Sequence, residues 1–179
     1  MSIQGQSFWA GVAPLRRWFA LGALVCAGAA LRWVNIGAES LWVDEIYSYR
    51  QALKSVEEIM LNAPADVHPP TYYLLLHFWT LAFGTSEAGL RSLSAILGVV
   101  SVPLMYRLGA ALGGGRVGLY AAFFMAISHF HIYYSQEARS YSMVAFVAVL
   151  GAWAFVSVAR ASGVLGGCVE NSEENSEGN

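Results

Sequence analysis

The chain has 179 residues, of which 56% are hydrophobic and only 12% charged, and its formal net charge is -2 at pH 7. That charged fraction is about half that of an ordinary soluble domain, which excludes an ordinary water-exposed surface and points to a protein surrounded by lipid. The basic residues are scattered, which excludes a nucleic-acid-binding stripe. Cys26 in an apolar stretch and Cys168 in a polar tail sit in settings too different for a structural disulfide.

In chain order, residues 1–17 read as a cytoplasmic amino terminus ending in Arg16 and Arg17. The apolar run 18–36 follows. The dibasic pair and the small triplet Ala27-Gly28-Ala29 also fit a signal peptide, but the apolar character continues past that triplet, so the run is expected to be a retained membrane helix. Residues 37–68 form an outer loop containing ESLWVDEIYSYR (39–50) and DVHPP (66–70). Residues 69–83, PPTYYLLLHFWTLAF, are short for a bilayer, start with two prolines and carry His77; they either cross thinly or lie along the interface. Residues 88–112, 117–134 and 141–159 are each near the roughly 20 residues that a spanning helix needs. GGG at 113–115 is a turn between two of them, and the acidic, low-complexity tail 160–179 is expected to be disordered. The fold class is therefore all-α, a polytopic transmembrane helix bundle with a juxtamembrane outer loop.

Lysine and arginine in short loops favour the cytoplasmic side. If residues 69–83 do not cross, Arg16, Arg17, Arg107, Arg116 and Arg160 lie inside, while Asp44, Glu45, Asp66, His68, Arg91, Glu137 and Arg139 gather on the outer face. That topology is adopted here.

The acidic pair comes first among the reactive groups, because a partly desolvated carboxylate at a membrane surface can serve as a general base or hold a cation. Neighbours on a helix point about 100 degrees apart, so Asp44 and Glu45 are expected to do different jobs: one faces an acceptor hydroxyl, the other orients a cation or a main-chain group. Against this stands the plain alternative that acidic residues simply open a helix, where the dipole favours them. His68, held before Pro69 and Pro70, can donate to a phosphate oxygen or share a proton with Asp66. Arg139, in YYSQEARSYS with Glu137 and Tyr141 beside it, can grip a phosphate in a bidentate fork, or merely snorkel or pair with Glu137. His129 and His131 do not share a helix face, so packing or interface roles are expected of them. Whether a divalent metal ion takes part is left open; Asp44, Glu45 and Asp66 are its candidate ligands.

DE after the first membrane helix, DVHPP opening the next, AGLRSLSAILGVVSVPLMYRLG and YSQEARSYS, in that order, resemble the amino-terminal part of GT-C fold integral-membrane glycosyltransferases. The likeness is to the family 39 and protein O-mannosyltransferase group, with the aminoarabinose transferases and the RgtA/B/C/D-like domain as relatives, and it covers roughly residues 18–159. It implies transfer of a sugar, with inversion, from a polyprenyl-phosphate donor to a protein, lipid or polysaccharide hydroxyl. It further implies a multi-pass protein of the inner (plasma) membrane whose active face is outward. By position, Asp44 matches the essential acidic residue of the first outer loop with Glu45 as its partner. Asp66 and His68 match the DxHPP signature, Arg91 an arginine opening the following helix, and Arg139 the basic residue near the donor phosphate, with Glu137 and Tyr141 in support. Members of the group continue for many more helices, whereas the apolar pattern here stops after Ala159, so a truncated chain is expected. The alternative is a non-catalytic membrane subunit that binds polyprenyl phosphate without turnover. A channel or transporter is disfavoured because the helix centres are expected to lack buried ionisable groups.

Overall fold

The computed structural model describes residues 5–62 and 69–163, with side chains from residue 15 onward. Within them the chain is helical throughout, with no strand: α1 (Gly5–Trp33), α2 (Val43–Ala52), α3 (Val56–Asn62), α4 (Pro70–Phe83), α5 (Glu87–Ile127), α6 (His129–Ser135) and α7 (Tyr141–Ala161). The all-α bundle expected from the sequence is what the chain forms. Asp66, His68 and nearly all of the expected disordered tail lie outside the described residues.

Each boundary has a local cause. α1 stops where Asn35 takes a left-handed conformation (φ 59), one that asparagine tolerates better than most residues. The stretch expected as an outer loop is not continuous loop, since it holds α2 and α3. At the start of α3 the Ser55 N–H donates to the Glu58 carboxylate and the Glu58 N–H donates back to the Ser55 hydroxyl, a reciprocal cap that satisfies two end groups. α4 starts with Pro70, whose missing N–H costs nothing at a first helical position, and ends at Gly84 (φ 78). Its 14 residues, rising about 1.5 Å each, fall short of a hydrocarbon core roughly 30 Å thick.

α5 and α7 are long and apolar enough to cross a membrane. α5 is not straight: at Gly113 and Gly114 (φ 81) the chain turns and the second arm folds back on the first. The arms meet so tightly that a Cβ on Gly118 would sit 2.6 Å from the Tyr106 carbonyl oxygen, a close approach that small residues allow. The second arm was expected to run to residue 134, but it breaks at Ser128, whose hydroxyl accepts the His131 N–H and so restarts the chain as α6.

Two apolar clusters hold the bundle. One gathers Leu21 of α1 with Val102, Ala122 and Ala126 of α5. The other joins Ala52, Ile59, Tyr72, Leu76, Leu90, Leu93, Ala138 and Met143, so it locks α2, α3 and α4 onto the start of α5 and the α6–α7 loop. Large apolar side chains such as Phe19, Leu112, Phe124, Val147 and Phe155 point away from both clusters and stay exposed. In water such a surface is unfavourable by roughly 25 cal/mol per Å²; against lipid it is the expected outer face.

Candidate functional site

Glu45, in the first turn of α2, is fully buried. Its carboxylate takes Arg91 Nε at 2.8 Å and Nη2 at 2.6 Å, and the same two oxygens accept main-chain N–H groups from Ala138 (2.9 Å) and Trp42 (3.4 Å). One side chain therefore ties α2 to the start of α5 and to the loop before α7. Arg91 completes the clamp by donating to the carbonyl oxygens of Ile36 (3.0 Å), Glu39 (2.8 Å) and Ser40 (3.3 Å). A guanidinium carries five N–H donors, and all five are filled. Arg91, expected at the donor phosphate, thus has no donor left for one: geometry commits it to Glu45 and to the α1–α2 connection.

Asp44 is turned about 100 degrees away along the same helix, and its side chain is 71% exposed. Its carboxylate stands 3.7 Å from Arg139 Nη2, while Arg139 Nη1 donates to the Asp44 carbonyl at 3.2 Å. Arg139 itself is buried, and its guanidinium lies 5.7 Å above the ring of Tyr141. The backbone that carries it is held from below: Ser94 Oγ donates to the Arg139 carbonyl at 3.1 Å, which leaves the Tyr72 hydroxyl to donate to Ser94 at 2.9 Å. Ser94 and Tyr72 are fully buried, so this relay fixes the height of the α6–α7 loop over α5.

Arg32, which the sequence reading passed over, and Gln136 connect the site to the long helices. Arg32, near the end of α1, is fully buried; it donates to the carbonyls of Gly28 (2.9 Å), Ala126 (3.1 Å) and Met125 (3.0 Å) and to His131 Nδ1 (2.9 Å). Because arginine only donates, His131 Nδ1 is the acceptor. Arg32 thereby caps the carbonyls left open where α5 breaks. In return Gln136, at the end of α6, donates its amide to the Val34 (2.9 Å), Leu31 (3.2 Å) and Arg32 (3.4 Å) carbonyls and caps α1. Gly98 is required at the crossing, since a Cβ there would sit 2.9 Å from Ser135 Cβ and 3.0 Å from Arg32 Nε. Arg32 lies in the last turn of α1 rather than at a helix centre, so it is an end-capping cation and not a group on a conduction path. A lone cation inside an apolar run was the available signal.

A cavity of about 700 Å³ opens between the α1–α2 loop and the end of α6. Asn35, Glu39, Ser40 and Trp42 line one wall, Tyr133, Gln136 and Glu137 the other, with Arg91 between them. Glu137 is 8% exposed, and burial raises its carboxyl above the ordinary range; a bond from Tyr133 opposes that shift and the Glu45 charge adds to it.

The structure thus brings together Asp44, Glu45, Arg91, Glu137, Arg139 and Tyr141 around one loop. Among the described residues no three groups of the His, Cys, Asp or Glu type converge as a metal site. Both oxygens of Glu45 are occupied by N–H donors.

Residues 67–164, more than half of the chain, match the family of dolichyl-phosphate-mannose-protein mannosyltransferases. The matched stretch holds His68, Arg91, Glu137, Arg139 and Tyr141; Asp44, Glu45 and Asp66 precede it. No curated protein and no solved structure matches the chain.

Proposed function

The chain belongs to the dolichyl-phosphate-mannose-protein mannosyltransferase family of membrane glycosyltransferases, and from that premise we propose that it transfers a sugar from a polyprenyl-phosphate donor to a hydroxyl, with Asp44 as the base. The observation that carries this reading is the contrast within one dipeptide: Glu45 is buried and spoken for, while Asp44 presents an open carboxylate 3.7 Å from a buried arginine.

Asp44 takes the proton of the acceptor hydroxyl as that oxygen attacks the anomeric carbon, and the bond from that carbon to the phosphate oxygen breaks on the opposite face. The phosphate leaves with the bonding pair, so its negative charge grows as the bond breaks. Arg139, and His68 two residues before α4 in the sequence, are assigned to that phosphate, where a cation stabilises the transition state more than the ground state. Asp66 supports His68, and Tyr141 holds the Arg139 guanidinium over its ring. Glu45 and Arg91 act as positioning residues, since they set the loop that carries Arg139 without a free group of their own.

Asp44→Asn keeps the size and the neighbours of this exposed side chain and removes its basicity. Membrane insertion and helix content should be unchanged and transfer from a polyprenyl-phosphate sugar should fall by a factor of 10² to 10⁴, the range of a lost general base. Substantial transfer by the full-length variant sinks the assignment. If wild-type protein binds polyprenyl phosphate and turns nothing over, the reading of a non-catalytic subunit replaces it.

The same reading assigns the protein to the inner (plasma) membrane as a multi-pass protein with this site outward, on the ground that Arg107, Arg116 and Arg160 then face the cytoplasm. With Cys26 and Cys168 replaced by serine, a cysteine at the exposed position Glu57 should react with an impermeant thiol reagent added to intact cells. Labelling only after permeabilisation reverses the topology.

A further inference from the structure

The cavity beside the acidic pair has a composition that a phosphate-binding site would not have. Its one cation, Arg91, is neutralised by Glu45, and every one of its N–H groups has an acceptor already. The Gln136 amide nitrogen is committed to carbonyls at the end of α1. What remains toward the cavity is dominated by two anionic acceptors, the carboxylates of Glu39 and Glu137, beside the Asn35 amide and the Ser40 hydroxyl, which both donate and accept. Among the described residues, an anion entering here meets two carboxylates and no free cation, and like charges at this range repel it.

The same walls carry two large rings, Trp42 at the start of α2 and Tyr133 on α6, respectively 54% and 41% exposed. A volume of about 700 Å³ lies within the range of small-molecule pockets. Acceptors want donors, and flat apolar ring faces want apolar C–H surface. A ring bearing several hydroxyls offers both, carries no charge to be repelled, and is held without displacing the Arg91 clamp.

We infer that this cavity is a neutral sugar-binding subsite, in which Trp42 supplies the stacking face and Glu39 and Glu137 accept ring hydroxyls, and from which the phosphate end of any ligand is excluded. The inference rests on the glycosyltransferase reading only for what the sugar is for. A pyranose can reach the cavity as part of the lipid-linked donor or as part of a glycan acceptor, and both present the same chemistry to these walls.

The test uses the full chain in lipid nanodiscs and methyl α-D-mannopyranoside as probe, read by saturation-transfer NMR. Binding is expected with a Kd on the order of 1 mM, weakened at least tenfold by Trp42→Ala and by Glu137→Ala and largely restored by Trp42→Phe. The Trp42 variants retain the bond to Glu45, because the main-chain N–H makes it. Ala38→Phe, which adds bulk on the cavity wall, should abolish binding without touching any hydrogen-bonded side chain. Inorganic phosphate at the same concentration should not compete.

No transfer to the mannoside, transfer undiminished in Trp42→Ala, Glu137→Ala and Ala38→Phe, or displacement by phosphate overturns the inference. Undecaprenyl phosphate, followed separately by its ³¹P signal in the same discs, keeps the two readings apart. Mannoside binding without lipid-phosphate binding removes the proposed donor and leaves the subsite standing; lipid-phosphate binding without mannoside binding does the reverse. Competition between a polyprenyl-phosphate mannose and the free mannoside supports a donor-sugar subsite. Simultaneous binding of the two supports an acceptor subsite.

Discussion

Removing either partner of the Glu45–Arg91 pair is expected to loosen the whole face that carries Asp44 and Arg139. Glu45 has no exposed surface and Arg91 is 5% exposed, so the loss of one charge leaves the other buried without its counter-charge, which costs about 3–5 kcal/mol. Glu45→Ala adds a second loss, because the buried Ala138 N–H forfeits its acceptor, at about 1–3 kcal/mol. Arg91→Ala instead frees three loop carbonyls, two of them on exposed residues that water can reach, so it should be the milder of the two. The double variant removes both charges and should cost less than the two single losses combined, by about 1–3 kcal/mol, as contacting residues do in such cycles. Unfolding in mixed micelles, followed by circular dichroism for the four proteins, measures this directly. If Arg91→Ala stays within about 0.5 kcal/mol of wild type, as surface substitutions do, or if the two substitutions are additive, the buried clamp is not what holds the loop. Arg91 is then free to meet a phosphate.

Two further outcomes follow from the same geometry. Arg32→Met removes four hydrogen bonds at the α1–α5–α6 crossing and strands the Met125 and Ala126 carbonyls, so a loss of about 2–4 kcal/mol is expected in the same unfolding assay; Arg32→Lys, with a single point charge in place of the fork, should fall between the two. An unchanged stability in Arg32→Met would show that the α5 break needs no cap. Glu137, whose carboxyl burial raises above its unfolded value, binds a proton more tightly in the folded chain. Its contribution to stability is therefore greatest below the unfolded carboxylate pKa of about 4.3 and is lost as pH rises through the elevated folded value. Thermal midpoints of wild type should fall across that window, Glu137→Gln should flatten the fall, and parallel curves for the two proteins would remove the assigned cause.

Composition and periodicity were enough to read an all-α membrane bundle, because a chain so poor in charge cannot cover its surface for water and each long apolar run can satisfy its own backbone only as a helix. The ordered motifs were also enough to read the glycosyltransferase resemblance, and to place Asp44, Glu45, Arg91 and Arg139 on one face. Local rules carried the turn at Gly113 and Gly114 and the proline entry to α4, since those depend on backbone conformation within a few residues.

What each charged group does was not legible, because a carboxylate's job depends on which donors long-range folding delivers to it. Glu45 and Asp44 are adjacent in sequence and equal in chemistry; the approach of Arg91 from 46 residues away and of the Ala138 N–H from 93 residues away makes one a buried strut and leaves the other open. The break at Ser128 has the same origin, since its stranded carbonyls are taken up by Arg32 on a helix that no local pattern connects to it. The cavity too exists only because the α1–α2 loop and the end of α6 are held apart by those clamps, and tertiary packing alone decided that its one arginine has nothing left to offer a phosphate.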